Sequence, residues 1–204
     1  MHAFMAHCRT ALSVFLLLSV ITGLAYPLAV TLAAQSMFPS QAGGSLIHER
    51  VDDEGEGSVS GETVIGSSLI GQPFASPGHF WSRPSATAPM PYNGRASGGS
   101  NLGANNPQLL DAVRARIAAL RAADPDNRAP VPVDLVTASA SGLDPDISLA
   151  AAFYQSARVA RARGLDITAV QTLIEQLAQR PWLGIVGEPR VNVVALNRAL
   201  DAER

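Results

Sequence analysis

The apolar positions of this chain fall into two regimes. From Thr10 to His48 there is no Asp, Glu, Arg or Lys, and Ala11 to Met37 is almost wholly apolar or small. Beyond residue 40 the apolar positions become periodic and are broken up by Gly, Pro and charged residues. The first regime predicts one helix over 11–37. At 1.5 Å per residue it reaches roughly 40 Å, more than the roughly 30 Å hydrocarbon core of a bilayer. Its hydroxyl side chains can bond back to the helix backbone. Pro27 predicts a kink, which neighbouring helices tolerate, and Gly23 and Ala25 leave room for another helix to approach.

A cleaved signal peptide is the rival reading. Arg9, the run Leu12 to Leu24 and a small-residue region at Leu32-Ala33-Ala34 fit it. The apolar run continues past a normal signal core and holds Pro27, which favours an uncleaved anchor. A buried soluble helix is disfavoured, because no face is polar enough for water. Arg9 precedes the span, whereas Glu49, Arg50, Asp52, Asp53, Glu54 and Glu56 follow it. The positive-inside bias then places residues 1–10 in the cytoplasm and 40–204 outside it.

The second regime predicts one exported α+β domain. Ser45-Leu46-Ile47 and Thr63-Val64-Ile65 read as strands around an acidic, turn-rich stretch. Residues 71–106 are rich in Gly, Pro, Ser and Asn, and their length marks a functional loop or a disordered one. Phe74, Phe80, Trp81 and Tyr92 argue for order there. Asn106-Pro107 opens a helix with Leu109, Leu110, Val113, Ile117 and Leu120 on one face, ended by Asp124-Pro125. Val131 to Ala138 is expected as an edge strand. Asp144-Pro145 is expected to open a helix stopped by Gly164, with Asp144 as its cap. Asp166 caps a third helix, closed by Arg180-Pro181. Trp182 to Val186 reads as a strand, Gly187-Glu188-Pro189 as a turn and Val193 to Ala202 as a last helix. Strands first and helices later favour α+β over a doubly wound sheet.

Composition narrows the chemistry. The net charge is -2, so no basic field supports a nucleic-acid partner. All fifteen basic residues are Arg, which excludes a Lys-centred phosphate loop and a Schiff-base lysine. Cys8 is the one cysteine, so there is no intrachain disulfide or multi-Cys metal site. The acids at 52–56 lack the alternation of a calcium loop, and a solvated surface loop is the simpler account. Gly98-Gly99-Ser100-Asn101-Leu102-Gly103 precedes a helix start, where backbone amides can cradle an anion, but a structural turn is favoured over it. No GxSxG elbow accompanies the abundant serines. Asp144 and Asp146 are a carboxylate pair suited to acid–base work, with capping the plainer role for Asp144. Glu188 and Arg190 are expected to form an ion pair across Pro189. Arg158, Arg161 and Arg163 cluster at a helix end, where they complement its dipole or meet an acidic partner.

Ordered blocks along nearly the whole chain carry a resemblance. They are Tyr26-Pro27-Leu28, Ala33-Ala34-Gln35, Phe38-Pro39-Ser40-Gln41-Ala42-Gly43-Gly44-Ser45-Leu46, Gly66-Ser67-Ser68-Leu69-Ile70-Gly71-Gln72 and Arg83-Pro84-Ser85. Further on stand Gly99-Ser100-Asn101-Leu102-Gly103, Asp134-Leu135-Val136-Thr137-Ala138-Ser139, Ser141-Gly142-Leu143-Asp144-Pro145, Arg158-Val159-Ala160-Arg161-Ala162-Arg163-Gly164 and Gly187-Glu188-Pro189-Arg190-Val191-Asn192-Val193. The chain resembles the C subunit of the Kdp potassium-transporting P-type ATPase. Departures fall at Ala104, Asn105, Ala140, Leu149 and Ala157, where the family often has other turn residues.

The resemblance implies a non-catalytic subunit of an ATP-driven potassium importer in the bacterial inner membrane. Its partners would be a channel-like potassium-translocating subunit, a P-type ATP-hydrolysing subunit and a small further membrane subunit, all within lipid. The implied role is assembly and stabilisation, with a proposed second role as a catalytic chaperone raising ATP affinity. It implies no tightly bound cofactor, with ATP engaged through the complex. A direct nucleotide contact is assigned to Ser100, Asn101 and Gln155. Structural or partner-contact roles are assigned to Pro27, Arg83, Asn101, Arg158, Glu188, Arg190 and Asn192. The alternative class is a membrane-anchored exported hydrolase or binding protein.

Overall fold

The computed structural model describes residues 2–51, 61–181, 184 and 187–203. It forms two units, Met1–Ile65 and Gly66–Arg204. In the first, α1 (His2–Val20) passes through a π-helical turn (Ile21–Ala25) into α2 (Tyr26–Met37). The stretch Phe4–Met37 is long and apolar enough to cross a membrane. Leu17, Leu24 and Leu32 are 60%, 59% and 67% exposed. Thr22 Oγ1 donates to Leu18 O (2.7 Å) and Thr10 Oγ1 to Ala6 O (3.1 Å), so these hydroxyls bond to their own helix.

The expected disturbance at Pro27 takes a particular form. The Tyr26 N–H reaches back to Ile21 O, one residue further than in an α-helix. A proline ring clashes with the carbonyl four residues earlier, here that of Gly23. The widened turn holds that carbonyl within it. A short helix α3 (Pro39–Ala42) follows, then β1 (Leu46–Val51) paired with β2 (Gly61–Ser67). The expected strand pair is present; the acidic stretch 52–57 lies outside the described residues.

The second unit holds α4 (Pro107–Ala123), a 3₁₀ turn (Val133–Leu135), β3 (Asp146–Ser148), α5 (Leu149–Arg163), α6 (Ile167–Leu177), β4 (Arg190–Asn192) and α7 (Val193–Ala202). Asn106 Oδ1 accepts from Gln108 N (2.9 Å) and Asp166 Oδ1 from Thr168 N (2.7 Å), the caps expected for α4 and α6. Gly164 ends α5 at φ 68°, a left-handed conformation that glycine adopts freely. Helices α5, α6 and α7 pack around Val159, Val170, Ile174, Leu196 and Leu200, each at most 1% exposed.

Two expectations are corrected. Val131 to Ala138 is no edge strand: Pro130 and Pro132 remove amide donors, and Val136 N and Thr137 Oγ1 both close onto Val133 O. Asp144 does not cap α5. Ser148 Oγ does, accepting from Ala151 N (3.0 Å), because residues 146–148 first form β3. Strand β4 was not anticipated; it pairs antiparallel with β3 in the register Asp146–Asn192, Ile147–Val191, Ser148–Arg190. The expected strand at Trp182 to Val186 falls mostly outside the described residues.

Candidate functional site

Residues 71–106 hold no helix or strand, yet they are ordered by side chains from α5 and α7. Phe80 is fully buried. Its N–H donates to Asn197 Oδ1 (2.8 Å), and its carbonyl accepts from Asn197 Nδ2 (3.0 Å). The next residue repeats the pattern with another amide: Trp81 N donates to Gln155 Oε1 (2.8 Å) and Trp81 O accepts from Gln155 Nε2 (3.1 Å). Two carboxamides thus do for this segment what a neighbouring strand would do, satisfying buried backbone groups.

Arginines clasp the flanking turn. Arg158 donates to Pro77 O, His79 O and Gln155 Oε1, and its guanidinium lies 4.6 Å from the Trp81 ring centroid. Burial pushes the Arg158 guanidinium down to about 10, with Asp124 opposing and Arg161 assisting. Arg163 donates to Gly78 O, Leu200 O and Asp201 Oδ1, and His79 Nε2 lies 3.3 Å from Asp201 Oδ2. Arg161 pairs with Asp124. The three arginines are therefore not a free cationic patch. Arg158 is 5% exposed, and the Arg163 side chain 8%.

A second cluster lines a cleft of about 530 Å³. Arg83 Nη1 binds Asp144 Oδ2 (2.9 Å), and Asp144 Oδ1 accepts from Asp146 N (3.0 Å). Arg190 Nε meets Asp146 Oδ2 (2.8 Å), so among the described residues it pairs across β3–β4 and not with Glu188, which lines the same cleft. Asp134 Oδ2 accepts from Ser148 N (2.7 Å). Burial pushes the Asp146 carboxyl up; Arg190 opposes this and Asp144 adds to it. Both carboxylates of the Asp144/Asp146 pair are thus engaged by arginines.

The remaining residues singled out in the sequence are spread apart. Asn192 Oδ1 accepts from Ala195 N to cap α7, while Nδ2 donates to Ser68 O (2.9 Å). Ser100 and Asn101 are exposed, with Asn101 at φ 53°. Gln155 is 1% exposed with both side-chain polar atoms bonded, so it shares no surface with them. Asn197 was missed. Its signal in the sequence was a lone amide on the apolar face of the last helix.

The model of the family described as K+-transporting ATPase, c chain, matches residues 8–202. The chain belongs to this family. It is similar to proteins named potassium-transporting ATPase KdpC subunit from several bacteria. The one from Variovorax paradoxus (strain S110) is 66% identical over 194 residues, covering 95% of each chain. That from Polaromonas naphthalenivorans (strain CJ2) is 63% identical over 194 residues, covering 95% of this chain and 93% of its own. That from Sorangium cellulosum (strain So ce56) is 54% identical over 200 residues, covering 98% and 100%. The similarity takes in the N-terminal helix together with the body that follows it in this family member.

Proposed function

We propose that the chain is a non-catalytic accessory subunit of a potassium-importing ATPase, assembling with a channel-like subunit and an ATP-hydrolysing one. The observation that carries this reading is the helix Phe4–Met37, long and apolar enough to cross a membrane and exposed along nearly all of its length, in a chain of this family. Such a helix needs lipid or other spans around it. Arg9 before the apolar stretch from Ala11 and the acids after it support a cytoplasmic N-terminus and an extracytoplasmic body. The internal bonding of Arg158, Arg163, Gln155 and Asn197 supports a structural role for these groups. Co-purification in mild detergent tests the assembly role. The expected result is recovery of two multi-span partners, and recovery of the chain alone overturns it.

The catalytic-chaperone role is constrained by the same placement, which keeps the body away from cytoplasmic ATP. An extracytoplasmic body affects cytoplasmic ATP binding through the membrane part, as a coupling free energy between two sites. Direct contact through Ser100, Asn101 and Gln155 requires the opposite orientation, and the enclosure of Gln155 speaks against it. Protease access decides between them. Cleavage of the body in spheroplasts supports the coupling route; cleavage only in inverted vesicles revives direct contact.

A further inference from the structure

Thr10, Thr22 and Ser36 turn their hydroxyls back onto the membrane-length helix, each donating to a carbonyl three or four residues earlier. The Tyr26 hydroxyl does not. Its rigid ring carries the oxygen away from the backbone; the residue is 66% exposed, and the hydroxyl has no partner among the described residues. A second polar group is unmet one turn earlier. The Tyr26 N–H goes to Ile21 O, and Pro27 has no N–H. The Thr22 carbonyl would draw its donor from one of those two residues, so it has none in its own helix.

Depth decides what can meet these groups. In the 34-residue stretch Phe4–Met37 both Thr22 and Tyr26 lie within about 8 Å of the middle, inside the roughly 15 Å half-thickness of a hydrocarbon core. Side chains on a helix lean toward its N-terminus. Tyr26 stands past the middle, so that lean takes its hydroxyl inward, away from the nearer headgroups. Lipid tails offer neither donor nor acceptor, and an unmet polar group at this depth is costly. Thr22 and Tyr26 are four positions apart and share a face, so one neighbour can meet both. The carbonyl takes only a donor, whereas the phenol gives one and accepts one. An ionised side chain would bring a charge that nothing here balances, because residues 10–48 hold no Asp, Glu, Arg or Lys. A neutral hydroxyl or carboxamide supplies donor and acceptor together, and such groups join helices inside membranes.

We propose that the Thr22–Tyr26 face of this helix packs against a transmembrane helix of a partner subunit that presents a Ser, Thr, Asn or Gln side chain at mid-membrane. This rests on the accessory-subunit reading above. The proline turn is then part of the contact: by withholding an N–H, Pro27 leaves the Thr22 carbonyl for the neighbour. Val30, one turn beyond Tyr26 in α2, belongs to the same face, whereas Leu28 lies about 200° around the helix from Tyr26.

A photo-crosslinking amino acid in place of Val30 or of Leu28, in membranes carrying the full complex, tests the proposal. Illumination should join the position-30 variant to a multi-span partner subunit, with at most a trace from position 28. Tyr26→Phe should lower the fraction that co-purifies in mild detergent about threefold, the weight of one interhelical hydrogen bond. It should leave the membrane-associated fraction undiminished, since a phenyl ring suits hydrocarbon better than a phenol; a failure to insert would move that readout the other way. Co-purification without crosslinking from position 30, equal yields from both positions, crosslinking only to a second copy, or co-purification indifferent to Tyr26→Phe overturns this contact face. Failure of the unaltered chain to co-purify with any partner would sink the accessory reading, and the contact face with it.

Discussion

Residues 4–37 hold Leu17, Leu24 and Leu32 out at 60%, 59% and 67% exposure, whereas the unit from Gly66 onward encloses Gln155, Arg158 and Asn197 at 1%, 5% and 1%. Apart from the turn before Pro27, the first region satisfies its backbone within one helix and shows mostly hydrocarbon outside. The second satisfies 76–81, a segment with no ladder of its own, by bringing amide and guanidinium groups inside. The same composition rule, polar out and apolar in, therefore fails in opposite directions in the two regions. Each failure has its own cause: the first region is long and apolar enough to suit lipid, and unpaired carbonyls must be met in the other.

Substitutions that act on one region alone sharpen this contrast. Leu18→Arg exchanges a favourable residue for a costly one at mid-span, a change of about 3 kcal/mol in insertion. Its membrane-associated fraction should fall steeply, while the unfolding midpoint of the body stays put. Arg158→Leu should do the reverse. It strands the carbonyls of Pro77 and His79 and leaves Gln155 Oε1 with the Trp81 N–H as its donor, a loss of about 3 kcal/mol read as a lower thermal midpoint at unchanged membrane fraction. Movement of both readouts by either variant would break the comparison.

Smaller effects test finer points. A Cβ at Gly164 meets nothing within 4 Å, so Gly164→Ala carries only the strain of φ 68°, about 1 kcal/mol by denaturant unfolding. The smallest effect concerns acid. Partial burial raises the Asp201 carboxyl, but hydrogen bonds from Arg163 and His79 outweigh that and hold it below its ordinary value. A carboxyl depressed on folding adds stability above its unfolded value of about 4, and that stability is lost as pH falls through the folded value. Asp201→Asn should flatten this acid limb in thermal midpoints measured from pH 6 downward. An unchanged limb would show that the Arg163–Asp201 pair contributes nothing there.

Features written in local sequence were legible. The apolar run, the caps Asn106 and Asp166 and the stop at Gly164 are each decided within a few residues. Strands β3 and β4 were not, because three residues show no periodicity and each becomes a strand only by meeting the other. The roles of Asn197 and Gln155 were hidden for the same reason: their partners lie 117 and 74 positions away. Arg158, Arg161 and Arg163 looked like a surface patch because a sequence gives their spacing but not the carbonyls and carboxylates waiting for them.

The wide turn at Ile21–Ala25 has an effect on azimuth as well as on sterics. One extra residue in a helix of 3.6 per turn rotates everything beyond it by about 100°. The side chains from Leu12 to Leu18 and those from Leu28 to Met37 therefore do not continue a single meridian. A straight neighbouring rod that tracked one stripe along the first half would meet a different side of the second, so whatever lies alongside this helix must bend, or change between its two halves.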